Sequence, residues 1–497
     1  MHQLYIGGAY VPAASGATYE SINPATAQPW ATFAAAGKED VDAAVAAARA
    51  AHESGVWRNL PPAERGAILN RVGDLLVERQ DEIVLAEVQD AGGTFRKGNI
   101  ADIPASMQTF QYFGELIANA ELSRTDEEFV PVMSRNVVKH EPIGVVAAIV
   151  PWNFPLAASS WKIAPALAAG CTMVLKPSPY TPASALLLAE ICTEAGVPAG
   201  VLNVLTGPDA ELGAALVAHP DVDKVAFTGS TKVGKLVMSN AADTVKSCTL
   251  ELGGKSANII LPDANLDIAA MGAAWGSFFH SGQVCQSGTR VLVHSDQRDE
   301  FVEKLVAVAA RITVGDPMDP MSTMGPLISK QQLNTVERYV AIGREEGART
   351  VCGGKRPEGL GDGFYYEPTI FVDVTNDMVI AREEIFGPVL CVMTYSSEEE
   401  AIAIANDSPY GLAAAVWSSD VEHAEAVADK LEAGTVWIND YHLLNPKYPF
   451  GGYKQSGNGR ELGPEGLRAY QVTKHIHVGQ PAEDPMEKHY FMILVDL

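Results

Sequence analysis

Cysteine is scarce in this chain, with six in 497 residues. That is too few for a disulfide scaffold, and no two form a CxxC pair. The reading is free thiols in a reducing compartment. Cations are also few: 36 Lys and Arg stand against 61 Asp and Glu, a formal net charge of −25. Nucleic-acid backbones and anionic membranes repel so acidic a chain, so neither is expected as a partner. No apolar run is long enough to span a bilayer. The opening MHQLYIGGAYVPAASG lacks the basic region and apolar core of a signal peptide, so a cytoplasmic location is expected. The 11 histidines form no HExxH or Cys/His cluster, and no metal site is expected. KHIHV at 474–478 reads as alternating strand residues. There is no internal repeat or low-complexity tract.

What remains is a soluble globular composition, 47% hydrophobic and 20% charged. The length implies two or three structural units. The N-terminal part reads as helical. EDVDAAVAAARAAHESG (39–55) is alanine-rich and stops at Gly55. Residues 61–90 begin with a proline suited to a first helical turn and carry apolar residues at helical spacing. From about 145 the texture alternates. GVVAAIV, CTMVLKP, GVLNVLTG and DKVAFTG each suit a buried parallel strand, and TPASALLLAEICTEAG and DAELGAALVAH between them are helical in composition. This predicts βαβ units whose ligands bind outside the C-terminal strand ends. GPVLCVMTY, SSEEEAIAIANDS, GLAAAVWSSD, VEHAEAVADKLEAG and TVWIND repeat the pattern as a second α/β unit. FVPVMSRNVVKHEPIG (129–144), TKHIHVGQ and the apolar HYFMILVDL alternate like hairpin pieces of a small third sheet.

One stretch, FFHSGQVCQSGTR (278–290), sets a cysteine among glycines, glutamines and serines rather than apolar neighbours. By itself Cys285 reads more readily as a loop thiol than as a nucleophile. Other unusual stretches lie at strand ends. VPWNFP places Asn153 between prolines, where loop capping is the plainer role. LKPSP ends a strand on Lys176. FTGSTKVG puts Gly229 and Gly234 around a helix start whose backbone amides suit a phosphate, although it is not a GxGxxG. LELGGK puts Glu251 before two glycines, which permit close approach of substrate or water.

Together these stretches resemble the aldehyde dehydrogenase superfamily. PWNFP, KPS, FTGST, ELGGK, GQVC, EEIFGPV and PFGGYKQSGNGRELG follow that family's order and spacing from about residue 10 to residue 480. The resemblance implies an α/β fold with a Rossmann-like cofactor domain (1–123 and 143–253), a second α/β catalytic domain (254–455) and a small β oligomerisation domain (124–142 and 470–497). It implies Cys285 as nucleophile, attacking an aldehyde to give a thiohemiacetal that becomes a thioester. It implies Asn153 as oxyanion donor with the Cys285 N–H, and Glu251 as the base that activates water. Glu461 matches a second acid on the proton path and fits a structural ion pair equally well. Lys162 matches a lysine of the same region, with a surface salt bridge as the plainer alternative. For the cofactor, the resemblance places Lys176 at the adenosine ribose and Gly229 and Ser230 at the pyrophosphate. Glu384 and Phe386 fall at the nicotinamide ribose and ring, and Trp152 near the adenosine. Val150, Pro151, Ser178 and Gly253 complete that set. Phe154, Trp161, Phe279, Val284, Gln286, His442, Leu444 and Phe450 match the substrate funnel, although any one aromatic there is as well explained by core packing. An aromatic wall with few cations favours an apolar aliphatic or aromatic aldehyde.

The sequence departs from the family in places. Where NAD-preferring members usually carry glutamate, three residues after Lys176, this chain has Pro179. NAD is the expected cofactor, and the barrier to NADP is missing. His280-Ser281 replace the frequent Asn-Gln, and Val472 and Ser247 replace a frequent interface ion pair. The expected assembly is a homodimer or homotetramer. Three competing readings are a coenzyme A-acylating enzyme, a non-catalytic binding or structural protein of the same fold, and a cysteine hydrolase using His280. Glu251 opposes the first, the intact Cys285, Asn153 and Glu251 the second, and the nucleotide motifs the third.

Overall fold

The computed structural model describes residues 1–129, 133–479, 481–484 and 488–493. The apolar runs after 145 become strands because each is buried along most of its length. Val145–Ile149, Thr172–Lys176, Leu202–Val204, Lys224–Thr228 and Ser247–Glu251 form the parallel centre of an eight-stranded sheet. Val145–Ile149 lies in the middle of the parallel strands. The next two strands add on one side of it and the last two on the other. That reversal of order opens a crevice at the C-terminal ends of Val145–Ile149 and Lys224–Thr228, where ligands of such sheets bind. Gly457–Asn458 closes one edge, antiparallel to Ser247–Glu251.

The second α/β unit is a seven-stranded sheet in the order Arg349–Cys352, Thr369–Val372, Val389–Tyr395, Arg290–His294, Ala257–Ile260, Ala413–Trp417 and Thr435–Ile438. All its pairings are parallel except that of Arg349–Cys352. Apolar residues on both faces of each large sheet are buried in separate clusters under the helices. A third sheet joins Gln471–Gly479 to Met133–Pro142 and Ser123–Phe129, all antiparallel. Val472, Ile476 and Val478 are exposed on it. Residues 130–132, 480, 485–487 and 494–497 lie outside the described residues, and with them much of the apolar tail HYFMILVDL. Among the described residues no helix is long and apolar enough to cross a membrane.

The alanine-rich helix runs Lys38–Ser54 and ends on Gly55 at φ 75°, where a side chain would be strained. The single helix expected over 61–90 is two, Pro62–Glu78 and Gln80–Ala91. Arg79 breaks it with φ −105° and ψ 19°, outside helical values. Its guanidinium bridges Glu82, Glu190 and Glu194, so contacts to another helix take precedence over helical periodicity. The first 34 residues hold two hairpins, Leu4–Ile6 with Ala9–Val11 and Thr18–Asn23 with Gln28–Ala34, ahead of the helices.

Candidate active site

Four segments meet where the first sheet's C-terminal strand ends face the second sheet. Asn153 follows Val145–Ile149, Glu251 ends Ser247–Glu251, and Cys285 lies in the loop before Arg290–His294. The fourth is the Phe450–Glu461 stretch, whose two terminal residues exchange backbone hydrogen bonds. Asn153 is 4% exposed and donates its side-chain N–H to the Gln283 carbonyl at 2.9 Å. The loop-capping role thus exists, and the cap sits two residues before Cys285. Glu251 is buried, and its Oε1 has no protein partner. Burial pushes its carboxyl well above the usual range, and the Glu461 and Glu384 charges add to that. The Lys162 ammonium and the neighbouring Cys285 thiol pull the other way.

Cys285 is half-buried as a residue, and its neighbours Val284 and Gln286 are buried. Burial pushes this thiol well above its usual range, and the Glu251 and Glu384 carboxylates raise it further. The resting group is therefore a neutral thiol beside a base. Gly254 cannot be replaced here, because an added Cβ would sit 2.5 Å from the Cys285 carbonyl oxygen. His280 forms no hydrogen bond with Cys285, and its ring lies tilted beside that of Phe154, with centroids 5.4 Å apart. That arrangement does not make the thiol–imidazole pair of a cysteine hydrolase.

Lys162 is not on the surface. It is fully buried, pairs with Glu461 and donates to Thr228 Oγ1 at 2.7 Å. Glu461 therefore has an ion-pair partner, and its charge also raises the Glu251 carboxyl.

The crevice holds the residues expected for a cofactor. Lys176 ends its strand 7% exposed, and burial pushes its ammonium down to about 8. Its only protein hydrogen-bond partner among the described residues is the Pro177 carbonyl at 3.3 Å. Val150 donates to the Lys176 carbonyl at 3.2 Å, and Pro151 and Trp152 continue from it around the crevice. Ser178 is buried and accepts from the Tyr180 N–H. Ser230 caps helix Thr231–Ala241, accepting from Val233 at 3.3 Å, and Gly229 donates to the Glu251 carbonyl at 3.1 Å. Glu384 accepts from the Gly254 N–H at 3.0 Å, and a Cβ on Gly253 would lie 2.2 Å from its other oxygen. Burial pushes Glu384 up to about 7, while the Gly254 N–H and Lys255 oppose the shift. Phe386 takes a φ of 56° and meets Trp152 edge to face at 5.2 Å.

The expected funnel residues fall into two groups. Phe154, Trp161, Phe279 and Leu444 are partly exposed, whereas Val284, Gln286, His442 and Phe450 are buried behind them. Gln286 and His442 hydrogen-bond at 3.1 Å, and Trp161 packs on Phe450 at 5.2 Å. Sequence reasoning missed three participants. Trp275 packs on Phe279 at 4.4 Å and donates to the Tyr441 carbonyl. Lys97 lies 4.2 Å from the Phe154 ring centroid and pairs with buried Asp102 at 2.7 Å. Thr228 receives Lys162. Thr228 stands inside FTGST and was within reach of motif reading. Trp275 and Lys97 carry no local signal.

The aldehyde dehydrogenase family model matches residues 10–476. The chain is 45% identical over 476 residues to the betaine aldehyde dehydrogenase of Bacillus subtilis, covering 95% of this chain and 96% of that protein. A crystal structure of Staphylococcus aureus betaine aldehyde dehydrogenase with NAD+ superposes at a TM-score of 0.94 with 42% identity, over 96% and 94% of the two chains. P. syringae indole-3-acetaldehyde dehydrogenase, with NAD+ and IAA, gives 0.94 and 43% over 97% of each chain. With the motifs in order, the strand-end crevice in place and the whole length matched, the chain belongs to the aldehyde dehydrogenase family.

Proposed function

We propose that this chain oxidises an aldehyde to its carboxylic acid with NAD, NADP being tolerated, through a covalent intermediate on Cys285. The observation that carries the reading is the buried Glu251 carboxyl, its Oε1 without a protein partner, acting electrostatically on the Cys285 thiol, with Asn153 anchored two residues before the thiol. Glu251 accepts the thiol proton as sulfur attacks the aldehyde carbon. The carbonyl pair becomes an oxyanion that takes N–H bonds from Asn153 and the Cys285 main chain. One such donor contributes about 3–4 kcal/mol to the transition state in comparable enzymes. The dinucleotide's part, when bound, is to accept the hydride. Glu251 first passes the thiol proton on toward Glu461 and solvent; it then takes a proton from water, the hydroxide adds to the thioester, and the carbon–sulfur bond breaks to release the acid, Glu251 returning its proton to the departing sulfur. Lys162 and Glu461 hold the next proton position.

The chain's residues fit a dinucleotide. A buried lysine amine with one carbonyl partner suits ribose hydroxyls, and the open N-terminus of Thr231–Ala241 suits a pyrophosphate. Glycine at 253 lets Glu384 approach a second ribose. On this reading the first sheet with the N-terminal helices binds the cofactor, the second sheet carries Cys285, and the third sheet joins subunits of a homodimer or homotetramer. Light scattering showing a monomer at micromolar concentration would refute the last part.

The wall of Phe154, Trp161, Trp275 and Phe279 supports a neutral aromatic or apolar aliphatic aldehyde. Aromatic faces also attract quaternary ammonium groups. Here the Lys97 ammonium already lies over Phe154, which weakens that face for a cationic substrate. The test is absorbance at 340 nm with a panel of neutral aromatic, aliphatic and trimethylammonium aldehydes, each cofactor, and coenzyme A present or absent. Reduction that depends on coenzyme A would replace hydrolysis with acyl transfer. No reduction with any aldehyde would leave a binding protein.

A further inference from the structure

The Phe154 ring carries a cation on its buried side. Lys97 Nζ lies over the ring, 4.2 Å from its centroid. Lys97 is only 4% exposed while Phe154 is partly exposed, so the ammonium covers the inner side of the ring and leaves the outer part to the proposed funnel. Local structure puts it there. The short helix Phe95–Lys97 runs directly into a π-helical turn, Gly98–Asp102. In an α-helix of 3.6 residues per turn, residues five apart stand about 140° apart around the axis. A π turn closes its hydrogen bonds between residues five apart and brings them toward one face. Lys97 and Asp102 are such a pair, and they meet at 2.7 Å with both side chains buried. Gly93 leaves the room, since a Cβ there would lie 3.3 Å from Lys97 Cδ and 3.7 Å from its Nζ.

A buried ion pair is often no more stable than an apolar pair of similar volume, so packing does not explain this one. The ammonium does what an apolar side chain cannot: it polarises the ring. A cation on one face draws π density toward itself and leaves the opposite face less negative. That face then attracts a second cation less and an electron-rich ring more. Burial pushes the Asp102 carboxyl up and pushes Glu87 up to about 8, so Glu87 adds little negative charge near pH 7 to offset the ammonium.

We propose that Lys97 is a specificity-determining residue acting through Phe154, selecting electron-rich aryl aldehydes and disfavouring aldehydes that carry a quaternary ammonium. This rests on the aldehyde-oxidising reading above and on the place it gives Phe154 in the funnel. Lys97 itself touches no substrate.

Two probes read the effect. Trimethylammonium acetaldehyde and 3,3-dimethylbutanal share one shape and differ by one charge. The kcat/KM of each with NAD is measured in the parent and in Lys97→Met with Asp102→Leu, a double variant that strands no charge. The ratio of the two substrates cancels any loss they share, so disturbed packing alone does not move it. We expect the preference for the neutral aldehyde to fall by about 5-fold in the variant. The second probe is competitive inhibition by 4-methoxy- and 4-nitrophenylacetamide, which are not oxidised and so read binding alone. The methoxy compound should bind the parent about 3-fold more tightly than the nitro compound, and the double variant should lose that preference. Either an unmoved ratio or a nitro compound that binds the parent as tightly as the methoxy one overturns the proposal. Should the double variant not fold, the inhibitor pair on the parent decides. A parent that oxidises 3,3-dimethylbutanal while the ratio stays put loses only the role of Lys97. A parent that oxidises neither aldehyde loses the aldehyde-oxidising reading, and this proposal with it.

Discussion

Lys162 and Glu461 form an ion pair in which the lysine is fully buried and the glutamate only 7% exposed. The pair lies 299 residues apart in the chain and beside Glu251, whose proton affinity it sets from both sides. Glu461 raises Glu251 and Lys162 lowers it. Such a pair gives little or no net stability over an apolar replacement, yet removing one partner strands a buried charge.

Lys162→Met should therefore cost about 3–5 kcal/mol in chemical denaturation, and Lys162→Met with Glu461→Leu should recover most of it. The single variant should also move the acidic limb of the rate profile to higher pH, because Glu251 loses its nearest cation. An unmoved limb would show that Lys162 does not act on the base.

Glu251→Gln keeps size and hydrogen bonding and loses the base. The expected result is a burst of reduced cofactor followed by steady-state turnover lower by about 10²-fold or more. Cys285→Ala should give no burst at all while still binding NAD. Unchanged steady-state rates in Glu251→Gln would pass the role of base to another group.

The Cys285 thiol is raised by burial and by two carboxylates. Iodoacetamide should alkylate it more slowly at pH 7 than a free thiol, with the rate climbing as pH rises. Glu384→Gln removes one negative neighbour, lowers the thiol's proton affinity, and should speed alkylation at pH 7 by about 3-fold or more. A slower reaction in that variant would contradict the electrostatics.

Glu87 is buried with neither carboxylate oxygen hydrogen-bonded, and burial and the Asp102 charge push it up to about 8. Lys97 and Ser184 oppose that shift, and Asp90 adds to it. A carboxyl raised on folding gives the native state the extra proton between the unfolded value near 4.5 and the folded value near 8. Its contribution to stability therefore falls as pH rises through that window. Glu87→Gln should match the parent near pH 4 and exceed it above pH 8, by about 2–4 °C in thermal midpoint. Differential scanning calorimetry at both pH values measures this.

At the proposed ribose site, Lys176, Ser178 and Pro179 present no carboxylate to repel a 2′-phosphate. The parent should reduce both cofactors, with NAD somewhat favoured. Pro179→Glu should lower kcat/KM for NADP relative to NAD by about 10-fold or more. Strong rejection of NADP by the parent would place the discrimination elsewhere.

The sequence by itself determined the strands, because Val145–Ile149 and its neighbours are buried on both faces and so read as unbroken apolar runs. It determined the end of helix Lys38–Ser54, because Gly55 alone relieves a left-handed φ. It singled out Cys285, Asn153 and Glu251 only through the order and spacing of the motifs that carry them, since each residue by itself has a plainer loop or packing role. Tertiary structure alone decided the rest. Arg79 broke a helix of sound periodicity because three glutamates waited around it, two of them on another helix. Lys162 found Glu461, Lys97 found Phe154, and Trp275 joined the wall by contacts between distant segments. Periodicity records how deeply each residue is buried and on which face. It carries no information about which distant residue lies opposite, and the charges of this site depend on that pairing.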